Sequence, residues 1–157
     1  LTKKVLQVVR EKDDFNFITV ILGAAYPYHD SLIELIETEP RIRLFSSLNE
    51  EDMFTEIQNA DLAIVPSSGI LFEVLAGGSL PIICYYAENQ KKLFNYFKYN
   101  NILPSFDGIN FDENQLKEEL TKILNGVKEI EEIPLRNQIS RSSLNNLEKF
   151  KELIAMD

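Results

Sequence analysis

The sequence contains one cysteine, one histidine and no tryptophan among its 157 residues. The single cysteine, Cys84, excludes an internal disulfide and a zinc site built from several cysteines. The single histidine, His29, excludes any site that requires two. No apolar stretch approaches the roughly 20 residues of a membrane-spanning helix, and no segment has the pattern of a signal peptide.

Basic residues are also few, since 16 Lys and Arg stand against 25 Asp and Glu, for a net charge of −9. A chain this acidic lacks the positive field that attracts nucleic acid or anionic lipid. Its length is typical of one domain, and its 45% apolar residues can form a sizeable core. These properties predict a single acidic globular domain over residues 1–157, located in the cytoplasm.

Apolar residues follow strand-like and helical patterns in turn along the chain. The predicted strands are 17–22, 41–45, 61–65 and 81–86, with a further short strand near 102–103. The predicted helices are 2–10, a segment from Asp30 or Ser31 to before Pro40, 50–59, 70–76, 90–100, 112–125 and 134–155, with an exposed linker at 126–133. This alternation predicts an α/β fold, a mostly parallel Rossmann-like sheet with helices on both faces.

Some local features allow sharper expectations. The continuous apolar run 17–22 is typical of a strand buried on both faces. Met53, Phe54 and Ile57 are expected to face inward from their helix. The glycines at 77 and 78 are expected to end the predicted helix 70–76, because glycine readily adopts the left-handed conformation that closes helices. Cys84 lies within an apolar strand and is expected to be an inert, buried thiol.

Ligands of open parallel sheets bind beyond the carboxyl ends of the strands. Three loops, 23–30, 66–70 and 87–90, follow predicted strands in this way. In the second, a turn of small residues leads directly into a helix, so that free N–H groups and the positive end of the helix dipole point outward together. This geometry favours the binding of an anion at the loop 66–70. The alternative is an ordinary serine-rich turn in which Ser68 caps the helix.

Three further positions each allow two interpretations. Glu73 has apolar helical neighbours, and a carboxylate there either bonds the hydroxyls of a ribose or faces solvent. His29 is either a proton-transfer group or a surface residue beside Asp30. Asn89 and Gln90 either turn their amides toward a ligand, or Asn89 caps the next helix.

Several segments, taken in order along the chain, resemble a known family. They are GAAYPYHDSL at 23–32, NADLAI at 59–64 after Met53, LFE at 71–73, G-x-x-P at 78–81 and AENQ at 87–90. The first is similar to the G-x-x-N-P-x loop of the UDP-sugar hydrolases of pseudaminic acid synthesis and the related spore-coat polysaccharide proteins, and the last to their A-[ED]-N-Q stretch. The resemblance covers roughly residues 1–105. It extends more distantly to the N-acetylglucosaminyltransferase of peptidoglycan assembly, which has the two-domain GT-B fold.

The resemblance implies that this chain is the C-terminal, UDP-binding half of a GT-B architecture whose N-terminal domain lies outside the sequence. It implies that backbone amides around Ser68 hold the phosphates, and it assigns no catalytic residue, metal or cofactor to this half. The implied binding residues are Ser67, Ser68, Gly69, Ile70 and Glu73 for UDP, Asn89 and Gln90 for the sugar, and Leu48 and Met53 for the uracil side.

The phosphate turn departs from the family pattern. The usual Gly-Gly-Ser/Thr-Thr is Ser67-Ser68-Gly69-Ile70 here, so isoleucine replaces a hydroxyl that bonds phosphate. The expected function is UDP binding in an enzyme that hydrolyses a UDP-linked deoxy-amino sugar of surface polysaccharide or nonulosonic acid synthesis. One alternative is a GT-B glycosyltransferase that uses a UDP-sugar donor. The other is a degenerate interaction domain, which the altered turn favours. The isolated chain is expected to be inactive.

Overall fold

The computed structural model describes residues 1–23 and 30–128, in which strands and helices alternate. The strands are β1 (Ile18–Leu22), β2 (Ile42–Ser46), β3 (Leu62–Pro66), β4 (Leu80–Tyr85) and β5 (Ser105–Asp107). The helices are α1 (Thr2–Val9), α2 (Asp30–Glu37), α3 (Glu50–Asn59), α4 (Gly69–Gly77), α5 (Lys91–Tyr99) and α6 (Glu113–Lys128), and a 3₁₀ turn at Glu88–Gln90 leads into α5. The predicted helix 134–155 lies outside the described residues.

The described strands form parallel pairs only. β1 pairs with β2, and β3, β4 and β5 pair in that order. The chain divides into two compact units, Leu1–Glu56 and the part from Ile57 onward, and each unit contains one of these sheets. The predicted α/β class with parallel, Rossmann-like alternation is confirmed, with the strands divided between two sheets. The assignment of the whole chain to one domain stays a prediction.

The core of the first unit lies on one face of β1. Thr19 on the opposite face is half-buried, and its hydroxyl accepts a hydrogen bond from Arg43 at 3.0 Å. Phe17 precedes the strand and is 73% exposed. The expectation that 17–22 is buried on both faces is therefore wrong, because this strand alternates between buried residues and the half-buried Thr19 and Ile21. The core comprises Leu6, Ile18, Val20, Leu22, Leu32, Leu35 and Ile42.

Helix α3 buries less than its pattern predicts. Ile57 is buried and Met53 is half-buried as expected, but Phe54 is 38% exposed. The remaining residues of α3 are polar or charged, so its apolar stripe is too narrow to place all three side chains in a core.

Arg41 joins separate parts of the first unit. Its guanidinium donates to the carbonyl oxygens of Arg10, Lys12 and Phe15 at 2.7, 2.9 and 3.1 Å. It also donates to both carboxylate oxygens of Glu39, at 2.9 and 2.8 Å. These side-chain bonds with Arg41 lower the pKa of Glu39 from 4.5 to about 2. Glu39 therefore orients the Arg41 guanidinium, which holds the segment following α1 by hydrogen bonds to its carbonyl oxygens.

The Glu39–Arg41 pair predicts a loss of stability in acid. The folded protein binds this proton more weakly than the unfolded chain, so the contribution is complete above pH 4.5 and is lost as the pH falls toward 2. Urea unfolding at pH 5, 4 and 3 measures the effect. We expect Glu39→Gln to be less stable at pH 5 and to show a shallower decrease on acidification. Identical pH profiles for the two proteins would contradict this role of Glu39.

The second unit is built around β4. Residues from Pro81 to Tyr85 are all buried, and because successive side chains point to opposite faces, this strand is covered on both. Helices α4 and α5 pack against it, and α6 packs against β5. The apolar cluster against α4 and α5 comprises Leu71, Leu75, Ile83, Tyr85, Phe94, Phe97 and Leu103.

Two predicted boundaries in this unit are wrong. The short strand expected near 102–103 is β5, because Leu103 is drawn into the core and the carbonyl of Pro104 accepts the N–H of Ile83 at 2.9 Å, which starts the pairing two residues later. The linker expected from Gly126 begins later too, since α6 continues to Lys128. Exposed helices tolerate single glycines at a modest cost, which explains the longer helix.

The predicted end of α4 is confirmed. Gly78 has a φ of 86°, in the left-handed region, and its N–H bonds the carbonyls of Val74 and Leu75 at 3.2 and 3.3 Å. The N–H of Ser79 also bonds Val74, at 3.3 Å. This is the closing pattern that glycine favours.

The close approach of α3 and α4 predicts that Gly77→Ala destabilises the protein. A Cβ at Gly77 would lie 2.5 Å from the Cγ2 of Ile57, so overpacking should cost about 1–3 kcal/mol. Gly126→Ala is the matched control, because its Cβ would meet nothing within 4 Å. That variant should gain about 0.5–1 kcal/mol from helix propensity. Urea unfolding measures both, and equal effects would show that the contact with Ile57 does not constrain α4.

Candidate functional site

Three loops follow the three parallel strands of the second unit. They are 67–70 after β3, 86–90 after β4 and 108–112 after β5. Because parallel strands end at the same edge of a sheet, these loops lie side by side, and we refer to them together as the carboxyl rim. Two of them contain residues that the sequence assigns to UDP and the sugar.

Ser67 is held within the fold. Ser67 is 2% exposed, and both its N–H and its hydroxyl donate to the carbonyl oxygen of Cys84, at 2.8 and 3.0 Å. Both donors of Ser67 are therefore occupied by β4, and neither remains for a phosphate. Ser67 instead terminates the pairing of β3 with β4 and sets where the chain turns.

The next three residues leave donors unpaired. Ser68 has an extended backbone (φ −150°, ψ −165°), and its carbonyl accepts the N–H of Leu71 at 3.0 Å. Ser68 occupies the position of a helix cap, but its hydroxyl makes no capping bond. Within residues 1–23 and 30–128, the N–H groups of Gly69 and Ile70 have no hydrogen-bond acceptor. Two amides at the positive end of the α4 dipole are thus free for an anion.

Glu73 lies one turn further along α4. Its side chain is exposed, while Leu71, Val74 and Leu75 supply the buried face of the helix. Of the two interpretations of Glu73, the structure shows the solvent-facing stripe. A carboxylate in this position is open to a hydroxyl donor, so its role with a ribose stays a prediction.

Gln90 combines burial with a fixed orientation. It is 8% exposed, and its Oε1 accepts the N–H of Tyr86 at 3.0 Å. Since a backbone N–H can only donate, this bond fixes which end of the amide is oxygen. The amide nitrogen has no partner in the described ranges and contacts solvent, because no described side-chain nitrogen or oxygen is both buried and unpaired.

Asn89 is exposed, and the helix that follows makes no side-chain capping bond with it. The capping interpretation of Asn89 is therefore not what the structure shows. The predicted contact of Asn89 and Gln90 with a sugar remains open, with Gln90 offering an oriented N–H₂ group and Asn89 a free amide.

Asp107 organises the third loop of the rim. Its Oδ1 accepts the N–H groups of Ile109 and Asn110 at 2.8 and 2.9 Å, and its Oδ2 accepts the hydroxyl of Tyr85 at 3.1 Å. Burial raises the pKa of Asp107, but the bonds from Asn110, Ile109 and Tyr85 outweigh it and lower the pKa overall. Burial and the bond to Asp107 raise the pKa of Tyr85. The sequence analysis missed this cluster, although Asp followed by Gly and Asn is a turn signal.

The residues predicted for the uracil side, Leu48 and Met53, belong to the first unit. Both are half-buried, and between them Asn49 begins α3 by accepting the N–H of Asp52 at 2.8 Å. Their role with uracil stays a prediction. His29 lies outside the described residues.

An open cleft of about 400 Å³ lies elsewhere in the second unit. It is formed by the segment before β5 and by α6, at the amino end of β5 rather than at the carboxyl rim. None of the predicted binding residues lines it. Its lining comprises Asn101, Ile102, Leu103, Pro104, Glu119, Lys122 and Ile123.

Comparison with known proteins gives little beyond the fold. No protein-family model matches the sequence, and no curated protein sequence is similar to it. A solved structure described as the glycotransferase of kitacinnamycin is similar over 83% of this chain, with 12% identity and a TM-score of 0.48. This chain spans 40% of the length of that protein. A similarity of this size does not bear on function. In residues 1–23 and 30–128, no helix combines the length and apolarity of a membrane span.

The environment of Cys84 predicts an unreactive thiol. The residue is 4% exposed, its Sγ lies 3.7 Å from the carbonyl oxygen of Val65, and burial raises its pKa from 9.0 to about 12. At pH 8 roughly 1 in 10,000 molecules would carry the reactive thiolate. We expect native protein to react with DTNB only as fast as it unfolds. Protein in 6 M guanidinium is the control and should react at once, and a native rate equal to that control would contradict the assignment.

Proposed function

We propose that the chain binds the diphosphate of a UDP-sugar at the carboxyl rim, as the nucleotide-binding part of a GT-B enzyme. The observation that supports this most strongly is the pair of unpaired amides at Gly69 and Ile70, at the start of α4 and beyond the carboxyl end of β3. Helix starts of this kind bind phosphate through backbone N–H groups and the helix dipole. The oriented amide of Gln90, on the neighbouring loop, provides a further donor for the sugar.

The proposed roles follow from the chemistry of each residue. Gly69 and Ile70 donate their N–H groups to phosphate oxygens, with the hydroxyl of Ser68 beside them. Glu73 accepts hydroxyls of the ribose from its exposed position on α4. Gln90 and Asn89 donate to the sugar. Ser67 contributes by shaping the turn, because its donors are bonded to Cys84.

The proposed phosphate contacts come from backbone N–H groups, because the turn contains no basic side chain. The residues from 66 to 78 include no lysine or arginine. Each hydrogen bond to a charged phosphate contributes about 1.5–3 kcal/mol, and the dipole adds about 0.3–1 kcal/mol when exposed. Two such bonds support weak binding of nucleotide by this chain alone.

In the intact enzyme, the same amides would stabilise charge on the departing UDP. Hydrolysis of a UDP-linked deoxy-amino sugar is the reaction that the sequence resemblance favours, with water as the acceptor. A glycosyltransferase would use the same half with a sugar or lipid-linked acceptor. The group that activates the acceptor belongs, by that resemblance, to the N-terminal domain.

Removal of one amide tests the proposal. Gly69 is the first residue of α4, a position that accepts proline, and the extended backbone of Ser68 suits a residue before proline. We expect Gly69→Pro to retain the fold, since no internal hydrogen bond is lost, and to bind UDP about 10-fold or more weakly. Calorimetric titration with UDP measures the loss, and thermal unfolding checks the fold.

Gly69→Ala is the matched variant, because it keeps the N–H and adds a methyl group where nothing lies within 4 Å. This variant measures the effect of the added methyl group alone, and it should lose clearly less UDP affinity than Gly69→Pro. Equal affinity of wild type and Gly69→Pro would contradict the phosphate site. No binding of millimolar UDP by folded wild-type protein would favour the interaction-domain alternative instead.

A further inference from the structure

Tyr86 is exposed directly after a run of buried residues in β4. The five residues before it, Pro81 to Tyr85, are all buried, whereas Tyr86 is 56% exposed directly beyond the carboxyl end of β4. Its position within the carboxyl rim means that an aromatic ring stands among the polar groups already described.

The backbone of Tyr86 is held in place by a buried polar side chain. Gln90 is 8% exposed and uses its Oε1 to accept the Tyr86 N–H at 3.0 Å. Burying a glutamine carries a desolvation cost that an ordinary surface tyrosine does not require. The same bond orients the Gln90 amide nitrogen, which has no partner in the described part of the chain and reaches solvent. One interaction thus holds the backbone that carries the ring and orients a hydrogen-bond donor.

The strand register places Tyr86 beside the proposed phosphate turn. Pro66 pairs with Cys84 before Ser67 ends the pairing, so the turn that begins at Ser68 follows β3 on the side of the loop that contains Tyr86. On the other side, Tyr85 pairs with Asp107, which brings the loop of Ile109 alongside. Tyr86 therefore lies between the unpaired amides of the first loop and the third loop of the rim.

Ile109 is the second exposed apolar side chain of the rim. It is 52% exposed, and its N–H is held by Asp107 Oδ1 at 2.8 Å. A ligand that carries an anionic group at the amides of the first loop would thus meet an aromatic ring and an aliphatic side chain on fixed backbone.

We propose that the ring of Tyr86 packs against the pyranose ring of the UDP-linked sugar, with Gln90 holding the backbone of Tyr86. The inference rests on the proposed function. The sugar is favoured over uracil because Tyr86 shares its loop with the oriented Gln90 amide, which suits the hydroxyl or acetamido oxygens at a sugar's edge. The apolar face of the same sugar would cover the tyrosine ring.

The test compares UDP with UDP-N-acetylglucosamine by calorimetric titration. We expect Tyr86→Ala to reduce the ratio of UDP-N-acetylglucosamine affinity to UDP affinity about tenfold, similar to the loss of one stacked ring in nucleic-acid complexes. Tyr86→Phe should restore the wild-type ratio, because stacking needs the ring and not the hydroxyl. Tyr99→Ala is the control, since Tyr99 is 76% exposed at the end of α5 and outside the rim.

The outcomes separate the two proposals. If wild-type protein binds UDP and Tyr86→Ala leaves the affinity ratio unchanged, the stacking role is wrong and the phosphate site stands. If folded wild-type protein binds neither ligand, both proposals are wrong. A ratio that falls equally in Tyr86→Ala and Tyr86→Phe would show that the hydroxyl acts and would overturn stacking.

Discussion

The carbonyl oxygen of Cys84 accepts two hydrogen bonds from one residue, the N–H and the hydroxyl of Ser67. These two hydrogen bonds to the next-to-last residue of β4 fix the point at which β3 stops. After Ser67, Ser68 has an extended backbone and α4 begins at Gly69, where the first two amides have no acceptor in residues 1–23 and 30–128. The geometry of the proposed anion site thus depends on a buried main-chain interaction rather than on residues that touch the ligand.

An anion site made of backbone amides, as proposed here, is compatible with an acidic chain. The net charge of −9 acts over distances that salt screens within about 8 Å, whereas amides act at contact. It also changes the meaning of the unusual turn sequence. Isoleucine at position 70 lacks the hydroxyl of the proteins that the sequence resembles but keeps its N–H, and a Cβ at Gly69 would meet nothing within 4 Å. The substitution removes one donor without closing the corner.

The sequence was sufficient to predict the parallel α/β alternation, because β-branched runs and the glycine at 78 are local signals. It was less informative where tertiary contacts decide. Phe54 lies at helical spacing yet is exposed, and β5 starts after Leu103 because the core takes that side chain. At the candidate site, the turn after β3 was predictable, but the bonds from Ser67 to the carbonyl of Cys84 depend on the strand register. Single-residue patterns do not contain that register.

The most direct test is a ¹H–¹⁵N correlation NMR titration of the chain with UDP and, separately, with uridine. If the unpaired amides bind the diphosphate, the N–H signals of Gly69 and Ile70 should shift downfield with UDP and saturate, and uridine should leave them in place. The buried N–H of Ser67 should move little, because its carbonyl partner is already bound. Shifts confined to other regions, or identical responses to UDP and uridine, would contradict a phosphate site at the start of α4.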